Sequence, residues 1–256
     1  MIVLKAMEHD WYSKVWTLDI KNHSWVEDTK NQVDFIIDTL GLQGTERILD
    51  LACGFGRHSL EFARRGYEVV GVDITKAYIE DANKEVSLQT LTAEFLCLDI
   101  REVSFQNEFD VVLNMADGAI GYLENDTENL KIFDVIARAL KPGGKHVMDI
   151  MNADYADSHF PCKLFDAGEH GLTLSQFEWD KETGIMIYGQ IDTLYGTPLP
   201  KPVFDEGCPT RLYHPIEIQN ILGARGMHIL HTYSDFTGTP ASKHNMQMII
   251  MSERNK

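Results

Sequence analysis

Ile48-Leu49-Asp50-Leu51-Ala52-Cys53-Gly54-Phe55-Gly56, running on to Val69-Val70-Gly71-Val72-Asp73, is the stretch that decides the fold. Ile48 to Leu51 is an apolar run short enough for a buried strand. A turn of small residues, Ala52 to Gly56, follows it. The next run carries Leu60 and Ala63 at helical spacing and stops at Gly66, with Arg64 and Arg65 placed to suit the negative end of a helix. A second apolar strand then ends on an acid, Asp73. Strand, glycine turn, helix, strand and acid make a βαβ unit suited to a nucleotide-like ligand. The glycines let the backbone approach that ligand, and the acid accepts hydrogen bonds from ribose hydroxyls. The plainer alternative is a turn that packs helix on sheet, with Asp73 capping the next helix.

Two ligands compete for this unit. A dinucleotide fingerprint reads GxGxxG with an acid roughly 20 residues on. Counted from Gly54, its third glycine position is filled by Ser59. Counted from Asp50, the pattern is Asp-x-small-x-Gly-x-Gly, through Ala52, Gly54 and Gly56. This resembles motif I of the class I S-adenosylmethionine (AdoMet)-dependent methyltransferases, with alanine where many members have glycine. Leu140-Lys141-Pro142-Gly143-Gly144 resembles the break that often precedes the fifth strand in that family. The resemblance implies an α/β fold: a doubly wound, Rossmann-like, seven-stranded sheet with a small antiparallel β cap after strand five. It implies AdoMet as cofactor and S-adenosylhomocysteine as product. A non-catalytic AdoMet-binding module and an NAD-dependent oxidoreductase are the competing readings.

The rest of the composition narrows the partners. The net charge is −16 over 256 residues, so the average surface repels a phosphate backbone. Nucleic acid and membrane surfaces are disfavoured, which leaves a small molecule or a peptide as acceptor. No apolar run reaches the length of a membrane span, and the start, MIVLKAMEHD, is too soon acidic for a secretory signal. A cytoplasmic protein is expected. The four cysteines, Cys53, Cys97, Cys162 and Cys208, form no CxxC pair, and the ten histidines show no ligand spacing, so no metal is expected. The oligomeric state stays open.

Four segments follow from the patterning. Residues 1–43 hold an aromatic arm and an amphipathic helix, with Val33, Ile36 and Leu40 on one face and Gly41 as its stop. Residues 44–151 form the AdoMet-binding core. Asn125 with Glu128 marks a helix start. Residues 152–212 break the βαβ rhythm: Leu172 to Trp179 and Ile185 to Leu194 alternate around a turn at 180–184, and Pro198, Pro200, Pro202 and Pro209 mark irregular chain. Residues 213–256 give a last helix from Pro215 and two strands that close the sheet.

The resemblance also implies roles. The cofactor would be bound by Asp50, Ala52, Gly54, Gly56 and Arg57 at the turn, and by Asp73 and Ile74 at the ribose. Asp99 and Ile100 would meet the adenine, with a helix cap or a pair with Arg101 as the competing use of Asp99, and Asn114 and Met115 close the fourth strand. Relatives often fold an N-terminal arm over the ligand, which makes Tyr12 and Trp16 candidates. The segment after Met115 would lie over the transferable methyl, with Asp117 and Tyr122 as the catalytic candidates. An Arg211–Tyr213 pair would face the acceptor, with an internal salt bridge as the competing use of the arginine. Trp179, Tyr188 and Tyr195 are candidates for lining the acceptor pocket or for packing the hairpin.

Overall fold

The computed structural model describes residues 4–199 and 201–256. In chain order the elements are β1 (Lys5–Ala6), α1 (Thr29–Leu40), β2 (Arg47–Leu51), α2 (Arg57–Arg64), β3 (Glu68–Asp73), α3 (Lys76–Gln89), β4 (Ala93–Cys97), β5 (Phe109–Asn114), α4 (Asp126–Ala139), β6 (Leu140–Met151), α5 (Ala153–His159), β7 (Cys162–Ala167), β8 (Gly171–Asp180), β9 (Ile185–Leu194), β10 (Glu206–Arg211), α6 (Pro215–Gly223), β11 (Met227–Tyr233) and β12 (Gln247–Arg254). Short 3-10 turns at Trp11–Ser13, Leu18–Asn22 and Ser24–Val26 make up the arm before α1.

Seven strands form one sheet in the order β11-β12-β6-β5-β2-β3-β4. The strands from β6 to β4 run parallel; β12 is antiparallel to β6, and β11 to β12. This is the Rossmann-like sheet that the glycine turn implied. Each central strand buries both faces, as parallel strands covered by helices do. Leu49, Leu51, Val70 and Val72 pack with Ile132, Phe133 and Ile136 of α4 on one side. Ile48, Val69 and Val111 pack with Val33 and Ile36 of α1 and Phe62 of α2 on the other. Each such side chain contributes roughly 1.5–3 kcal/mol of hydrophobic stabilisation. β2 has β3 on one flank and β5 on the other, so the winding reverses at β2. That reversal opens a crevice above the carboxyl ends of the strands.

The Lys141–Gly144 segment departs from expectation. It lies within β6 rather than ahead of it. Phe109 pairs with Leu140, and the next pair is Val111 with Lys145, so the extra residues bulge out of the ladder. Gly143 takes φ +78°, and Lys141 Nζ binds both oxygens of Asp110 at 2.8 Å.

A second sheet of five strands runs in the order β1-β10-β9-β8-β7. β8 and β9 form a hairpin whose turn is held by Glu182 N donating to Asp180 Oδ1 at 2.9 Å. Pro209 sits in β10, opposite Ile187, not in irregular chain. It is tolerated because β1 pairs only as far as Gly207, so no ladder bond needs its missing N–H. Pro198 and Pro202 do lie in irregular chain, and Pro200 falls outside the described residues.

Candidate active site

The site begins at the carboxyl end of β2. Asp50 is 1% exposed, and its Oδ2 accepts a hydrogen bond from Ser59 Oγ at 2.6 Å. Its Oδ1 has no partner. Burial pushes its pKa up to about 7 against the pull of Ser59 and Arg57. Ser59 therefore turns inward to the strand acid, in the position where a dinucleotide fold keeps a third glycine. Gly54 takes φ +58°, and a Cβ there would meet only Tyr78 at 4.0 Å, so its face opens into the crevice. Gly56 serves differently. A Cβ on it would stand 2.7 Å from the Phe95 ring, so it lets α2 pack on β4, and it does not line the cleft.

Asp73 ends β3 directly across from this turn. Gly54 N donates to its Oδ2 at 2.9 Å and Thr75 N to its Oδ1 at 2.8 Å. Burial pushes its pKa up, while those two amides hold it down. The Thr75 side chain binds the carboxylate as well; of about four acceptor positions on a carboxylate, this leaves capacity for a hydroxyl donor. The capping reading is partly right, since Thr75 opens α3; the hydroxyl of Thr75 makes no cap bond of its own.

A cleft of about 1010 Å³ runs from this turn to the second sheet. That is at the upper end for a single-ligand pocket and leaves room for a second small molecule. Ala52, Arg57, Ile74, Ile100 and Met115 line it, as expected. The aromatic arm forms its wall. Tyr12 OH donates to Glu124 Oε1 at 2.8 Å, Trp11 Nε1 to Pro209 O at 3.1 Å, and Trp16 stacks on Tyr122 with centroids 6.3 Å apart. Tyr78 OH donates to Thr17 O at 2.9 Å and ties the arm to α3. Arg57 donates to Thr29 Oγ1 at 2.9 Å and Gln32 Oε1 at 2.7 Å and lies over Trp25.

Two expected residues meet the cleft on other terms. Asp99 lines it, but Arg101 occupies most of its carboxylate: Arg101 N donates at 2.8 Å and Arg101 Nε contacts both oxygens at 3.0 Å. Burial would raise its pKa, but Arg101 outweighs that and holds it low. Asn114 is fully buried and does not line the cleft. Its Nδ2 donates to Gly118 O at 3.0 Å and anchors the turn that follows β5.

That turn is the least expected feature. Ala116, Asp117, Gly118 and Ala119 all take positive φ, from +51° to +66°. A left-handed turn costs roughly 1–2 kcal/mol for each residue with a Cβ, and such strain clusters at functional sites. It is held by Asp117 N donating to Asp149 O at 2.7 Å and Ile120 N to Asp117 O at 2.8 Å. The result is a carboxylate facing the cleft, with Tyr122 OH donating to Asp117 Oδ2 at 3.0 Å. Burial pushes Asp117 up to about 6. Asp149, near the end of β6, also lines the cleft and is 6% exposed. Burial and then the charge of Asp117 push its pKa up to about 7. Asp149 was missed because an acid in an apolar strand resembles any strand-end polar residue. The one available signal was its place at the carboxyl edge, like Asp50 and Asp73.

Arg211 and Tyr213 do not line this cleft. Arg211 binds Glu217 Oε1 and Leu212 O and stacks over the Tyr213 ring at 4.6 Å. Tyr213 is 1% exposed and donates to Asp126 Oδ1 at 2.7 Å. Arg211 is held in an internal salt bridge with Glu217 and its N–H donates to Gly121 O at 2.8 Å; it lines a separate cavity beside Asp126 and Asn129. Tyr188 lines the cleft, whereas Trp179 donates to Asp157 Oδ1 at 3.1 Å and Tyr195 is exposed. Among the described residues, no group of three His, Cys, Asp or Glu side chains is placed to hold a metal ion, and no helix is long and apolar enough to cross a membrane.

The reversal at β2, the glycine floor, the amide-held Asp73 and an unpaired buried Asp50 oxygen fit AdoMet. The family described as "Methyltransferase domain" matches residues 48–144. Residues 48–144 thus form a methyltransferase domain. The chain is 27% identical over 213 residues to "Putative methyltransferase YqeM" of Bacillus subtilis (strain 168), covering 82% of this chain and 85% of that one. In fold it is similar to an S-adenosylmethionine-dependent methyltransferase from Clostridium acetobutylicum ATCC 824, with TM-score 0.73, 20% identity and 90% and 93% of the two chains covered. The CcbJ methyltransferase from Streptomyces caelestis is similar too, with TM-score 0.74, 16% identity and 97% and 96% covered.

Proposed function

We propose that the chain methylates a small-molecule acceptor, an amine or a hydroxyl, held between the left-handed turn and the five-stranded sheet. When bound, AdoMet supplies an electrophilic methyl on a sulfonium. Asp73 takes the ribose hydroxyls, and Gly54 gives the adenosyl group a floor without side chains. Ile74 and Ile100 flank the base, and Arg57 serves the amino-acid end. Tyr12 and Trp16 close the arm over it. Charge is neutralised as the methyl moves, so a dry, walled site favours the transition state. Most of the rate would come from alignment.

The observation that carries the acceptor side is the placement of Asp117. A strained turn presents its carboxylate to the cleft within hydrogen-bond distance of Tyr122 OH, 3.0 Å. A carboxylate with its pKa raised toward neutrality is suited to take a proton from the attacking group. The test is transfer of labelled methyl from AdoMet into a fractionated pool of small metabolites. Asp117→Asn should slow turnover about 100-fold, within the usual range for a lost general base, with S-adenosylhomocysteine affinity kept. Wild-type turnover in the variant would remove Asp117 from the mechanism.

A further inference from the structure

We propose that the acceptor is a small amine that enters as its ammonium ion, and that Asp117 and Asp149 together receive the ion and its proton. This rests on the methyl-transfer reading and narrows its substrate class.

The sign of the chamber is the first observation. Beyond the glycine turn the cleft is lined by Asp117, Asp149, Asp192 and Glu206, of which Glu206 is paired with Lys5 Nζ at 3.2 Å. The cations facing it are already committed. Arg57 holds Thr29, Gln32 and Trp25 and, in the reading above, serves the amino-acid end of the cofactor. His23 Nε2 stands 3.6 Å from Asp192 Oδ2. His58 is buried on Gln32 Oε1 at 2.8 Å, and burial pushes its pKa well below its usual range, so it is neutral. Among the described residues, no Lys, Arg or His makes an ion pair with Asp117 or Asp149.

The second observation is the state of the two carboxylates. Asp117 faces Tyr122 OH and the Met151 amide. Asp149 faces the amide of Gln247, at 3.0 Å, the Ala116 N–H and, at longer range, the charge of Arg57. Asp117 N donates to Asp149 O at 2.7 Å, which fixes the two residues side by side, and the charge of Asp117 raises the pKa of Asp149. Two desolvated like charges held together are relieved by a cation or by a proton. Tyr122, Trp11 and Trp16 add ring faces at the same wall, which attract a cation and not an anion. An acidic acceptor would be repelled, and a neutral alcohol would gain nothing from the field.

The step balances. One N–H bond of the ammonium breaks and its proton passes to the carboxylate pair. The freed lone pair forms the new N–C bond, the C–S bond breaks, and its electron pair stays on sulfur. The product is the N-methylated ammonium and a neutral thioether, and the pair gives up its proton to water. Burial keeps both acids near neutrality in pKa, about 6 for Asp117 and about 7 for Asp149, so either can hold that proton at working pH.

The test is calorimetric titration of the full chain, saturated with S-adenosylhomocysteine, against three probes that share a phenylethyl group: 2-phenylethylammonium, 2-phenylethanol and 3-phenylpropionate. The ammonium should bind at least about tenfold more tightly than the alcohol, a gap of about 1.4 kcal/mol, and the carboxylate weakest of all. Asp149→Asn and Asp117→Asn should each shrink the amine–alcohol gap to about twofold while S-adenosylhomocysteine still binds, which shows the variant folded. Equal or tighter binding of the alcohol or the acid, no measurable binding of the ammonium, or a gap that survives in both variants overturns the proposal. Failure of the wild-type chain to bind S-adenosylhomocysteine would strike the methyl-transfer reading instead.

Discussion

Asp73 concentrates two duties in one carboxylate, binding amides of its own chain and offering its remaining lone pairs to the cleft. Asp73→Ala should therefore weaken S-adenosylhomocysteine about 10- to 100-fold, the loss of one or two charge-assisted hydrogen bonds, by calorimetric titration; unchanged affinity would detach Asp73 from the ribose. Asp149 gives a pH prediction. Its folded pKa of about 7 lies above the usual carboxylate range. The stability it contributes is thus complete below the unfolded pKa near about 4 and is lost as pH rises through 7. Asp149→Asn should be close to wild type in melting temperature at acid pH and more stable at pH above 8 by roughly 1–3 kcal/mol. A variant less stable than wild type at high pH would show that the carboxylate is paired in the folded chain. At this scale the sequence was legible where acid and glycine stand at fixed spacing: Asp50, Gly54 and Asp73 all face the crevice. The packing role of Gly56 left no local trace, because the Phe95 ring beneath it belongs to a strand 39 residues away.

The left-handed turn from Ala116 to Ala119 is an element with no name in the chain's periodicity. It aims Asp117 at the cleft at a cost offset by the Asn114 side-chain amide on Gly118 O and by Asp117 N on Asp149 O. Ala119→Gly removes one Cβ from a positive-φ position. It should raise stability by about 0.5–1 kcal/mol and lower turnover about two- to tenfold, because a looser turn misplaces the carboxylate. Melting temperature and steady-state rate, measured together, check it; a rise in both would mean that the strain does not serve catalysis. The helices and parallel strands were legible because burial on two faces writes continuous apolar runs, as in Val69–Val72. β7 and β10 were not legible. β7 is largely exposed and carries no alternation, and β10 holds Pro209, which ordinarily argues against a strand.

Across the whole molecule, the cleft has a rigid floor and a lighter wall. The floor is the carboxyl edge of a sheet whose strands are buried; the wall is an arm of 3-10 turns that is buried at Trp11 and Tyr12 but has no buried residue from Ser13 to Val26. Elements held by few buried contacts open first. Hydrogen exchange at residues 11–26 should accordingly slow on addition of S-adenosylhomocysteine, while the amides of β2 and β5 change little; an arm with unchanged exchange would not be closing over the ligand. The sheet and its cofactor could be read from the glycine turn, since one ligand geometry fixes that spacing. On the acceptor side Asp117, Tyr122 and Tyr188 were candidates from the sequence, but Asp149, Asp192 and Glu206 come from β6, β9 and β10, which only the fold brings together. The central claim is that AdoMet lies over Gly54 with its ribose on Asp73. A crystal structure with S-adenosylhomocysteine tests it most directly. The account predicts both ribose hydroxyls within hydrogen-bond distance of the Asp73 carboxylate and the sulfur directed toward Asp117 and Tyr122. A nucleoside bound elsewhere, with Asp73 turned to bulk solvent, would contradict it.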